Sequence, residues 1–346
     1  MIRGLALTVV TALTASLAPT AAQASTPTTQ CRQTQVPVQV TGTQEQLSAT
    51  LCDPGDAGTV LVLFPGASYD SSYWDFPVRP RTYSQVRSLT QAGFATLALD
   101  PFGNADSSAP LSPRLNASVE AAALHQVVSA LREGRVGRAY SRVVLVGHSL
   151  GSTIVALTAA RYDGIDGVVL TGLLHRFDPV DTVALFTRGF APAASDPKFA
   201  DRGLDPGYLT TVPGARARFF NALTTEPDVL AAEELTRGVF PATDVPDAGV
   251  LIELLPTTGL IDVPVLLAVG EADRIMCGTP PTGTDCSSAA TVRSAEAPWF
   301  SAAARLQVFV LPGAGHSLTT APGTRQYQRA VIDWARSYVE ADGGVR

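Results

Sequence analysis

The feature that most constrains this chain is a series of short, almost wholly apolar runs, set apart by stretches of helical length. The runs are 59–64, 94–99, 142–146, 167–170, 264–269 and 306–311, and each ends at a glycine, a proline or a polar residue. Strands that are apolar on both faces belong to a parallel sheet covered on both sides. The segments 80–92, 117–133, 150–162 and 324–340 have the length and periodicity of the covering helices, so the sequence reads as repeated βαβ units. Ahead of them, the alternating runs 35–40 and 47–51 read as an antiparallel hairpin. Between about Arg176 and Leu260 no strong strand is expected. Phe177, Phe186, Phe190, Phe199, Tyr208, Phe219, Phe220 and Phe240 recur there among short helical pieces, one of them punctuated by Pro227 and Gly238. Because the sheet resumes afterwards, 176–260 is expected to be an inserted helical cap, with 25–175 and 261–346 forming one catalytic domain.

Composition closes off other classes. The 346 residues are 46% hydrophobic and 16% charged, which is enough apolar material for a large core and excludes a disordered chain. A formal charge of −6 gives no basic footprint, so nucleic acid is not an expected partner. The first 24 residues read as a secretory signal, with Arg3, an apolar stretch from Leu5 to about Leu17, and a small-residue site ending at Ala24. That stretch is too short to span a bilayer, and no later run is long enough. The expectation is therefore a secreted protein without a stable membrane anchor.

Export changes what the cysteines mean. An even number in an oxidising compartment favours disulfides over metal ligation. Sequence proximity favours Cys31–Cys52, stapling the open end of the hairpin, and Cys277–Cys286, closing a short loop. Neither pair has C-x-x-C spacing and no histidine sits beside them, so no metal site is expected. No phosphate-binding glycine loop is present either, and no cofactor is expected.

The chemistry centres on Gly147-His148-Ser149-Leu150-Gly151. A G-x-S-x-G run that follows a buried strand and opens a helix has the context of a nucleophile elbow, with Ser149 as the nucleophile. A serine hydroxyl needs a base, and the base needs an orienting acid. Of four histidines, His148 belongs to the elbow itself, His125 lies within a helix and His175 occurs too early in the chain. His316 follows the last strand, at the end of the sheet where active sites of open α/β sheets gather. The acid is expected between Ser149 and His316 at a strand end, which selects Asp273, with Glu271 as the runner-up; Asp262 would lie at the opposite edge. Donors for an oxyanion are expected from the backbone N–H of Leu150 and, in the loop after 59–64, of Ala67.

These residues and their order resemble the α/β-hydrolase-fold serine hydrolases. Ser149, Asp273 and His316 match that family's triad in order and strand context, and Asp100–Ser107 resembles its D-x-x-G-x-G-x-S turn, with Ala105 in place of the second glycine. At the oxyanion loop Pro65-Gly66 replaces the usual His-Gly. The resemblance implies a mostly parallel central sheet with helices on both faces. It also implies an esterase or lipase-like enzyme acting through an acyl-enzyme. The cap aromatics, with Tyr69, Tyr73 and Trp74, suggest a small, apolar ester as substrate, although such residues more often form a cap core. Amide, peptide or lactone hydrolysis and perhydrolase chemistry would use the same triad. A binding protein without turnover is the alternative from another class.

Overall fold

The computed structural model describes residues 1–2, 29–177, 179–249 and 257–341. Apart from its first two residues, the expected export segment, with its cleavage site near Ala24, lies outside the described residues.

An eight-stranded sheet forms the frame, in the order β1-β2-β4-β3-β5-β6-β10-β11. Its strands are β1 (Gln30–Val40), β2 (Thr43–Asp53), β3 (Thr59–Phe64), β4 (Ala95–Leu99), β5 (Arg142–His148), β6 (Gly167–Thr171), β10 (Val265–Gly270) and β11 (Gln307–Leu311). The first two pair antiparallel, and β2 also pairs antiparallel with β4. From β4 to β11 every pairing is parallel. The helices are α1 (Pro80–Tyr83), α2 (Gln85–Gln91), α3 (Ala117–Arg132), α4 (Leu150–Arg161), α5 (Pro179–Arg188), α6 (Pro227–Leu235), α7 (Asp244–Gly249), α8 (Ala289–Glu296) and α9 (Thr324–Trp334). None of the described helices is long and apolar enough to cross a membrane.

The period of two along each strand sorts the core onto both faces. Val60, Val62, Val143, Leu145 and Leu170 pack on one side with α3 and α4, against Leu124, Val127, Ile154 and Leu157. Leu61, Leu63, Val144, Val146 and Val169 pack on the other with Leu89 of α2 and Tyr327, Val331 and Trp334 of α9. Both faces are therefore covered, as the unbroken apolar runs require.

The hairpin is longer than its alternating runs suggest, and Cys31 faces Cys52 across it in register. Those two cysteines are bonded to each other, as are Cys277 and Cys286. The helix expected over 80–92 is broken at Ser84. Its Oγ accepts the Arg87 N–H and caps α2, while the Trp74 carbonyl takes the N–H groups of Gln85 and Val86.

Between β6 and β10 the chain leaves the sheet. The helices α5, α6 and α7 are there as expected, but so is a small antiparallel sheet of β7 (Phe190–Pro192), β8 (Tyr208–Thr211) and β9 (Phe240–Pro241). A helical insertion with no strong strand was the expectation; strands of two to four residues are too short to carry a readable alternation. The Asp100–Ser107 turn docks this insertion. Asn104 donates to the Val239 carbonyl at 2.8 Å and accepts the Val239 N–H at 2.7 Å. Ala105, standing where a glycine would be usual, adopts φ 43°, the left-handed region that favours glycine.

Two buried acids are Asp244, the first residue of α7, and Glu120 of α3, each with a carboxylate oxygen that has no hydrogen-bond partner among the described residues. Desolvation pushes both carboxyl groups well above their ordinary range. A raised folded-state value means that the stability these acids supply is complete below about pH 4.5, the ordinary glutamate range, and is lost as pH rises through the folded value. Glu120→Gln is expected to raise Tm at pH 8 by about 2 °C or more and to change it little at pH 4.5. Thermal denaturation at the two pH values checks this.

Candidate active site

The parallel strands converge on one edge. The chain runs outward from β3 to β4 on one side and to β5 and β6 on the other, so a crevice opens at the carboxyl ends where the order reverses. Ser149 stands there between β5 and α4 at φ 52°, ψ −122°. A non-glycine residue in that region is strained and must be held by its surroundings. The Ser149 N–H is fixed on the Thr171 carbonyl of β6 at 2.7 Å. Close packing explains two of the glycines around it. A Cβ on Gly151 would lie 2.2 Å from the Pro65 carbonyl oxygen, and one on Gly66 would lie 2.9 Å from the His148 carbonyl oxygen and 3.1 Å from Ser149 Cβ. The loop after β3 is thus seated directly on the elbow, which brings Ala67 beside Ser149.

The acid and the imidazole come from neighbouring strands. Gly270 at the end of β10 is in register with Leu311 at the end of β11, so the loops that follow run side by side. The Ala272 N–H donates to the Ala314 carbonyl at 2.8 Å. Across this pair, His316 Nδ1 lies 2.8 Å from Asp273 Oδ2. The other carboxylate oxygen of Asp273 accepts the N–H groups of Ile275 at 2.9 Å and Met276 at 3.1 Å. Asp273 and His316 are both about 98% buried or more, so the pair is shielded and its orientation fixed. With Nδ1 engaged on Asp273, Nε2 is the other ring nitrogen, and His316 lines the same cavity as Ser149.

The competing residues have other places. Glu271 accepts the Gly313 N–H at 2.8 Å and so shapes the loop that carries His316 without touching the imidazole. Asp262 is exposed. His175 is buried against Glu296 at 2.6 Å and Thr258 at 2.8 Å and stacks on Trp299, outside the pocket that holds Ser149. His125 stacks on Tyr162. His148 is wholly buried, stacks on Tyr73 and lies with its ring centre 4.8 Å from that of His316. Desolvation first, and the His316 charge second, hold its pKa far below the ordinary imidazole range.

Ser149, His316, Ala67 and Leu150 line one cavity of about 210 Å³. The segment between β6 and β10 contributes Phe177, Phe186, Phe190 and Phe219, whereas Phe199, Tyr208, Phe220 and Phe240 lie in the buried interior. Tyr69 reaches the cavity; Tyr73 and Trp74 are packed beneath it. Sequence reasoning missed Leu173, Leu174, Ile275 and Met276, which also line it. Their signal was positional, because they directly follow β6 and β10 at the carboxyl edge. Among the described residues, none of the lining side chains is Asp, Glu, Lys or Arg. No group of three or more His, Cys, Asp or Glu among the described residues is placed to hold a metal ion.

The Cys277–Cys286 bridge begins four residues after Asp273, and the Cys277 N–H donates to the Asp273 carbonyl at 2.8 Å. Cys277→Ser with Cys286→Ser is expected to lower turnover several-fold while circular dichroism shows the fold intact. Unchanged kinetics would remove the bridge from any role in the site.

Residues 61–327 match the Alpha/beta hydrolase family. No curated protein matches the sequence. Among solved structures, a thermophilic esterase from Thermogutta terrifontis is similar at 18% identity and TM-score 0.59, over 88% of this chain and 99% of that one. A putative aryl esterase from Burkholderia cenocepacia matches at 16% identity and TM-score 0.58, covering 89% of this chain and 100% of its own. A highly thermostable carboxyl esterase from Bacillus coagulans matches at 14% and TM-score 0.60, over 89% and 99%. With its eight-stranded, mostly parallel sheet and a family match spanning residues 61–327, the chain belongs to the Alpha/beta hydrolase family.

Proposed function

We propose that the protein hydrolyses carboxylic esters with an apolar acyl or alcohol part, through a covalent acyl-enzyme on Ser149. The observation that carries this is the His316–Asp273 contact at 2.8 Å, in a cavity that Ser149 shares with Ala67 and Leu150. His316 Nε2 takes the Ser149 proton as Oγ attacks the ester carbonyl carbon. Asp273 holds the Nδ1–H tautomer and stabilises the imidazolium. The negative charge on the carbonyl oxygen is met by the backbone N–H groups of Leu150, at the start of α4, and of Ala67. Collapse breaks the bond to the alcohol, which leaves with the proton from His316. Water, deprotonated by His316, then attacks the acyl carbon, and Ser149 is released with its proton restored.

The apolar lining supports an uncharged, hydrophobic substrate part, since a carboxylate or ammonium there would be desolvated with no charged partner among the described lining residues. Residues 176–260 are assigned to a cap over this cavity. Two disulfides accord with export after about Ala24 and action outside the cell. That similar structures include esterases agrees with the choice of bond.

A panel of p-nitrophenyl esters of increasing acyl length, run beside aminoacyl amides and a lactone, tests the choice. Ester turnover that prefers the apolar acyl chains is the expected result. Turnover of amides alone would overturn it.

A further inference from the structure

We propose that Arg216, contributed by the inserted segment, is the positioning residue that holds the oxyanion loop in its working shape; this rests on the ester-hydrolase reading above. Arg216 is 1% exposed, an unusual place for a guanidinium, which is tolerated only where its donors are met. Two of its nitrogens lie 3.2 Å and 2.7 Å from one carboxylate oxygen of Glu233, also buried, on α6. Its remaining terminal nitrogen does not stay within the cap. It donates to the Ser68 carbonyl at 2.9 Å and lies 3.2 Å from the Ser68 hydroxyl.

Ser68 follows Ala67 directly, and this is why the contact matters. The turn from Gly66 to Tyr69 is closed by the Tyr69 N–H on the Gly66 carbonyl at 3.1 Å, and within it Ser68 has φ 59°. A serine held in the left-handed region relaxes unless its surroundings fix it. The Ser68 carbonyl is gripped from two sides, by Arg216 and by the Gly238 N–H at 2.8 Å. Both grips come from residues between β6 and β10. The direction of the Ala67 N–H therefore depends on the cap, through Arg216.

The same side chain reaches the histidine loop. Its guanidinium carbon lies 4.0 Å from the centre of the Tyr69 ring, a stacked cation–π contact. The Tyr69 hydroxyl is 2.8 Å from the hydroxyl of Ser317, next to His316. One buried cation thus ties the oxyanion loop to the loop that carries the base.

A staple that only joined cap to core would alter stability and leave the chemistry alone. Replacing a buried ion pair by apolar residues of similar size is often neutral or stabilising, so Arg216→Met with Glu233→Leu keeps the test usable where Arg216→Met alone fails to fold. For both variants kcat on a p-nitrophenyl ester is expected to fall at least tenfold, towards the 10²–10³-fold that loss of one oxyanion donor produces. KM is expected to stay within about threefold. The inhibition constant of an alkylboronic acid, whose tetrahedral adduct on Ser149 needs the same donors, is expected to rise in parallel with the loss of kcat. Arg216→Lys is expected to stay impaired, because a point charge cannot fill the guanidinium fork. Unchanged kcat and boronate affinity in the folded double variant would overturn the assignment. Wild-type ester turnover and its loss in Ser149→Ala are measured alongside; if wild type turns over no ester, the ester-hydrolase reading falls, and this assignment falls with it.

Discussion

Ser149→Ala is expected to lower kcat for the best ester of the panel by about 10⁶-fold, leaving only the residual acceleration that the donors and the cavity supply. The size follows from the mechanism. Without Oγ there is no acyl-enzyme, and His316 has no proton to accept from the chain. The fold should not notice the change. The Ser149 N–H still reaches the Thr171 carbonyl, and alanine meets the same left-handed backbone strain as serine. A melting temperature within about 2 °C of wild type is therefore expected. A loss of activity that came with unfolding would say nothing about the nucleophile, which is why both are measured.

Asp273→Asn is expected to lower kcat by about 10⁴-fold, with KM nearly unchanged. The carboxylate accepts on both sides, from His316 Nδ1 on one oxygen and from the Ile275 and Met276 N–H groups on the other. An asparagine can keep its oxygen on the two backbone donors, which fixes its amide nitrogen towards Nδ1. The imidazole must then present a lone pair at Nδ1 and carry its hydrogen on Nε2, the tautomer that cannot take a proton from Ser149. Glu271→Gln is the control, because the bond of Glu271 is to the Gly313 N–H. A kcat loss for Glu271→Gln as large as that for Asp273→Asn would reassign the acid.

The sheet was legible because its inner parallel strands are buried on both faces, so 59–64 or 264–269 shows as an uninterrupted apolar run. The elbow was legible because glycine is forced there by close approach: at Gly151 a single carbon would lie against the Pro65 carbonyl. The choice of Asp273 over Glu271 was legible only as a preference, since both follow β10; register between β10 and β11 decides which carboxylate meets His316. The small sheet of the inserted segment was not legible, because Phe190–Pro192 and Phe240–Pro241 are too short to show a period. Nor was Arg216. Its partners Ser68 and Glu233 are 148 and 17 residues away, and nothing local in the sequence marks this arginine for burial. Ala105 shows the converse. Its φ of 43° lies in the region that favours glycine, although the residue type does not signal it.

The central claim is that Ser149, deprotonated through His316 and Asp273, becomes covalently acylated. The most direct measurement is the mass of the protein acid-quenched during steady turnover of a p-nitrophenyl ester, followed by peptide mapping. The expected result is a population heavier by the acyl group alone, with the addition on the peptide that contains Ser149 and absent from Ser149→Ala. Ester turnover that proceeds with no acyl adduct, or with the adduct on another residue, would contradict it.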